Sequence, residues 1–261
     1  MMAESASVGE VVLSYTDKGA GEPPILLVHG SACDSGDWAW QLDHFAESHR
    51  VLAVDLRGHG RSSAPPSGYD APQLAADLAT LLDQLACPPV IGIGHSLGGL
   101  VLTTMAANHP DTTTALVCID PAYLTPDQTG QTFATMSQAL ERDPRGLMAD
   151  IFADIDKPST PNHVKELHQR RIKDVPEHVI RQVLDDNTRL ATRSMSEPIV
   201  SRRTCPVLSL HTRADRAEAE APLLHDPRSR TLAWPECGHW PHQERPSEFN
   251  TLVDEWLMTL R

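Results

Sequence analysis

The residues with the clearest chemical promise lie in Val90–Leu102, VIGIGHSLGGLVL, where Gly94-His95-Ser96-Leu97-Gly98 breaks two apolar runs. The pattern reads as strand, sharp turn and helix, with Ser96 at the apex. A serine there is forced toward positive φ, so its hydroxyl projects from the end of the sheet, while Gly94 and Gly98 let neighbouring backbone pass close by. Ser96 is therefore a candidate nucleophile. The following helix aims its free N–H groups and positive dipole end at the same point, where an oxyanion would form during acyl transfer. A neutral serine hydroxyl is a weak nucleophile, so this chemistry needs a base to take its proton and a carboxylate to orient the base. His95 is not that base, because adjacent side chains in an extended-to-turn segment point apart.

Such a turn must be held by a sheet, and the strand signals are regular. Ile25–Val28 and Val51–Val54 are apolar on both faces, as in a parallel sheet covered by helices on each side. Ala115–Ile119, Pro206–Leu210 and Thr231–Trp234 continue the series, and Glu10–Tyr15 alternates like an edge strand followed by a hairpin loop, Lys18–Pro24. Leu74, Leu78, Leu81, Leu82 and Leu85 share one face of a helix over Gln73–Leu85, and the last segment places Phe249, Leu252, Val253, Trp256 and Leu257 on another. From Pro121 to Arg203 strand signals stop. Proline stands at the expected first turn of helices near Asp143-Pro144, Thr160-Pro161 and Val175-Pro176. The expected fold is α/β, with a mostly parallel central sheet, helices on both faces, a core formed by residues 1–120 and 204–261, and a helical insertion over 121–203.

Three further motifs lie where strands should end: His29-Gly30, Asp55–Ser62, and Gly238-His239-Trp-Pro-His242-Gln-Glu244. With the Ser96 turn, the arrangement resembles the α/β-hydrolase superfamily in the single-domain form that carries a helical cap. The resemblance implies a catalytic set in the order Ser96, Asp215, His239, with the backbone N–H groups of Leu97 and Ser31 as the oxyanion site. It implies no metal and no organic cofactor. It also makes the insertion a cap over the nucleophile, so that Phe133, Met136 and Phe152, with Trp38 and Trp240, become candidates for substrate contact; Trp38 either packs its loop or lines the pocket. His29 is expected to lock its loop by hydrogen bonds, Asp55–Ser62 to brace the sheet, and His242 and Glu244 to brace the loop of His239. The loop His211-Thr-Arg-Ala-Asp215 departs from the family by lacking an early glycine. Asp120 is the alternative acid, but Pro121 follows it and should hold it extended.

A formal charge of −13 argues against nucleic acid or anionic membranes as partners and favours a small-molecule substrate. No basic leader with an apolar core and no run near the roughly 20 apolar residues of a membrane span is present, so a cytoplasmic location is expected. The five scattered cysteines match neither a disulfide framework nor a zinc site, and no close His/carboxylate spacing marks a metal. Oligomeric state is not legible. The expected activity is hydrolysis of an ester or lactone of a small, mostly apolar substrate. Relatives with the same residues include hydrolases of carbon–carbon bonds and cofactor-free perhydrolases, and a non-catalytic small-molecule receptor is the alternative outside enzymes.

Overall fold

The computed structural model describes residues 3–260. Eight strands form one sheet in the order β1-β2-β4-β3-β5-β6-β7-β8. They are β1 (Glu4–Val8), β2 (Val11–Lys18), β3 (Ile25–Val28), β4 (Val51–Val54), β5 (Val90–His95), β6 (Thr113–Ile119), β7 (Val207–His211) and β8 (Arg230–Ala233). β3 to β8 run parallel, and β1 and β2 pair antiparallel at one side. Successive side chains of a strand face opposite sides, and the core divides accordingly. Leu26, Val28, Leu52 and Val54 join one apolar cluster with α2 (Ala71–Gln84) and α3 (Leu97–Asn108). Ile25, Leu27, Val51 and Ala53 join the other, with α1 (Ala39–Phe45) and the last helix. Both faces are thus dry, which is why these strands carry no polar alternation.

The segment Glu10–Tyr15 is one strand in from the edge, because β1 covers it. β1 reads ESASV and is mostly exposed, so its sequence carries little apolar signal. Lys18–Pro24 is not a hairpin connection, since β4 lies between β2 and β3. Alternation marks a strand but not its neighbours.

Between β6 and β7 the chain forms α4 (Gly130–Arg142), α5 (Pro144–Ile155), α6 (Asn162–Asp174), α7 (Glu177–Ala191) and α8 (Arg193–Val200). α5 starts as its sequence requires: Asp143 accepts from Gly146 N–H, and Pro144 takes a first-turn position that needs no donor. After β7 come α9 (Ala214–Glu220), the short α10 (Pro241–Glu244) and α11 (Pro246–Met258). Among the described residues no helix is long and apolar enough to cross a membrane. All five cysteines are unpaired.

Candidate active site

The turn between β5 and α3 places Ser96 at φ 50°, ψ −115°. Its close packing explains the glycines: a Cβ on Gly98 would meet the Val28 carbonyl at 2.1 Å, and one on Gly94 would meet the Gly98 carbonyl at 2.5 Å. Ser96 is tied to the end of β6 in both directions, donating its N–H to Ile119 (2.9 Å) and accepting from Ala122 N–H (3.0 Å). Leu97 is the first residue of α3, so its N–H has no carbonyl one turn back.

The loop after β8 delivers His239, whose Nδ1 donates to Asp120 Oδ2 at 2.6 Å. That bond leaves Nε2 unprotonated in the neutral ring, in the form a general base needs. Asp120 follows β6 and is 6% exposed. Thr212 donates to both of its oxygens, by N–H at 3.1 Å and by Oγ1 at 3.0 Å. Burial alone would raise the Asp120 carboxyl, but the bond and charge of His239, the Arg216 guanidinium and the Thr212 N–H outweigh it and hold the group well below the usual carboxylate range.

Ser31, Ser96, Leu97, Asp120 and His239 all border one cavity of about 310 Å³. The helical segment closes it with apolar side chains, among them Met136, Met148, Ile151, Phe152 and Val183. Trp240 completes that wall. The loop of Ser31 is pinned from behind: His29 Nε2 accepts from Leu56 N–H (3.0 Å), and His59 Nε2 accepts from Ala32 N–H (3.2 Å). Both histidines are held neutral, their pKa values lowered chiefly by burial, that of His59 to about 3. His95 donates from Nε2 to the His239 carbonyl at 2.8 Å. Glu244 braces the same loop, accepting from Gly238 N–H at 2.9 Å.

A sequence profile of the alpha/beta hydrolase family matches residues 25–252, a span holding every one of these residues. The chain belongs to the alpha/beta hydrolase family. A thermophilic esterase from Thermogutta terrifontis is 27% identical, with a TM-score of 0.85 over 100% of this chain and 99% of that one. The dihydrolipoyllysine-residue acetyltransferase component of the acetoin cleaving system of Cupriavidus necator is 26% identical over 97% of this chain and 68% of its own. The 2-(acetamidomethylene)succinate hydrolase of Mesorhizobium japonicum is 35% identical over 119 residues, 46% of this chain and 42% of that enzyme.

Within this alpha/beta hydrolase, Asp215 is not brought to the histidine. It stands in the first turn of α9 with its side chain 63% exposed, paired with Arg213 at 2.7 Å. The expectation that Pro121 keeps Asp120 extended also fails: its φ is 37°. Aspartate tolerates that left-handed region better than most residues. The missing glycine at 211–213 was the available signal, since Thr212 stands there and donates to Asp120. Trp38 is fully buried and packs on His242, ring centroids 4.6 Å apart, rather than bordering the cavity. Phe133 lies outside the cavity too, under the Arg189 guanidinium at 4.4 Å.

The fold also assembles a polar cluster that no spacing announces. Potential ligand atoms of Cys33, Asp37 and His168, and of Asp37, His95 and His242, lie within 4.8 Å of one another. The Arg171 guanidinium sits against the Asp37 carboxylate of this cluster.

Proposed function

We propose that the chain is a serine hydrolase that cleaves an ester or lactone of a small, mostly apolar substrate through an acyl-enzyme on Ser96. The observation that carries this reading is the Asp120–His239 hydrogen bond at 2.6 Å, made at the rim of the cavity that Ser96 also borders. In this mechanism Ser96 Oγ attacks the carbonyl carbon and His239 Nε2 takes its proton. Asp120 stabilises the imidazolium and fixes the ring. The oxyanion is received by the N–H groups of Leu97 and Ser31, each contributing roughly 3 kcal/mol in comparable sites. Collapse breaks the bond to the alkoxide, which leaves with the proton from His239; water then repeats the sequence to free the acid and Ser96. The apolar wall formed by Met136, Met148, Ile151 and Phe152 suits an uncharged acyl group, and the helical segment acts as its cap.

The test is turnover of short nitrophenyl esters and lactones, with mass spectrometry after organophosphonate treatment. The adduct is expected on Ser96, and Ser96→Ala should lose on the order of 10⁶ in turnover. Labelling elsewhere, or saturable ligand binding with no turnover, would overturn the reading.

A further inference from the structure

Trp240 directly follows His239 and is 1% exposed. Its indole packs against two inserted helices as well as against His95 at the end of β5, whose ring centroid lies 6.1 Å away. The His168 ring of α6 lies on it face to face, with centroids 4.1 Å apart and planes 22° from parallel. Phe152 of α5 meets it edge-on at 5.3 Å. Burial pushes the His168 imidazole down to about 4, so at neutral pH the stack is between two uncharged rings.

The turn between α5 and α6 grips the same loop along its length. Lys157 Nζ donates to the Pro235 carbonyl, Ser159 Oγ to the Glu236 carbonyl at 2.9 Å, and Thr160 Oγ1 to Glu244 Oε1 at 3.1 Å. One turn beyond His168, Arg171 pairs with Asp34 at 2.8 Å and with Asp37, in the stretch that follows Ser31. A segment bonded in this way to both loops bordering the reacting atoms is a fixture, not a lid free to swing.

We infer that His168 is a positioning residue, through which the inserted helix α6 sets the orientation of His239 by stacking on Trp240. The inference rests on the proposed roles of Ser96, His239 and Asp120. A small rotation of Trp240 would carry His239 with it along the backbone, and misplacement by about 1 Å can cost up to about 10²-fold in rate.

Three substitutions separate stacking from other roles: His168→Phe keeps a ring face, His168→Leu fills the volume without one, and His168→Ala removes both. Steady-state kinetics on nitrophenyl esters of increasing acyl length should show kcat down about tenfold for Leu and Ala on every ester, with KM unchanged. Phe should restore most of the loss. A changed ranking of acyl lengths or a KM effect alone would make His168 a substrate contact and overturn the inference, as would a Phe variant as impaired as Leu. Proton NMR in the Ser96→Ala background gives a readout without turnover. The deshielded Nδ1 proton of the His239–Asp120 bond should weaken in His168→Leu and persist in His168→Phe. If Ser96→Ala keeps full activity, the proposed function fails; an unchanged Nδ1 proton in His168→Leu sinks the positioning role alone.

Discussion

The ends of β6 and β7 each present an aspartate near the cavity, and the two fare oppositely. Asp120 turns inward through a left-handed φ, is buried, and accepts from Thr212 and His239. Asp215 sits in the first turn of α9 with its side chain 63% exposed and pairs with Arg213. In the proposed mechanism β7 therefore supplies the support for the acid rather than the acid itself, with Thr212 as the contact. Beneath it the buried Glu220 accepts from His211 at 2.7 Å, Arg203 at 2.8 Å and Tyr123 at 2.8 Å, anchoring the end of the strand. An acid is usable where the backbone can aim it and donors can hold it, and proximity to the right strand end does not suffice.

The contrast can be broken most directly at Asp120. Asp120→Asn should keep the fold and lose roughly 10⁴ in kcat, because an amide cannot hold His239 in the required tautomer as a carboxylate does. Esterase kinetics together with circular dichroism would check both halves; a loss larger at Asp215 than at Asp120 would return the acid to β7.

Removing the support below β7 comes next. Glu220→Gln leaves the Arg203 guanidinium, 1% exposed, without its carboxylate, which should cost about 3–5 kcal/mol in denaturant unfolding. Burial alone would raise the Glu220 carboxyl, but Arg203 and His211 draw it down to about 2. Its value in the unfolded chain is about 4.3. Its stabilisation is therefore complete above that value and lost as the pH falls toward 2. Wild-type stability should drop across that window more steeply than that of Glu220→Gln.

Thr212→Val sharpens the comparison further. It removes one of the two hydrogen bonds from Thr212 to Asp120 while keeping the backbone N–H, so kcat should fall roughly tenfold with KM unmoved, the loss of one hydrogen bond to a charge. The smallest effect belongs to Asp215→Asn. Its partner is a solvated surface arginine, and turnover should stay within about twofold of wild type.

The sequence by itself determined the parallel strands of the sheet, the Ser96 turn, the loop that brings His239 and the helical run between β6 and β7, but not the antiparallel edge. Each is written locally: apolar runs with no polar alternation, glycines where backbones touch, prolines at first turns. What it could not decide was which carboxylate meets His239, because Asp120 and Asp215 both follow strands and their spacing in the chain says nothing about reach. That depended on the φ of one residue and on two hydrogen bonds from Thr212, 92 positions away. The same holds for Trp38 and Phe133, apolar residues whose patterns predict burial against something without naming it. The buried cluster around Asp37 arose likewise, from loops and a helix that only packing brings together. Local pattern carries the elements; long-range packing selects which side chains face one another, and the chemistry lives in that selection.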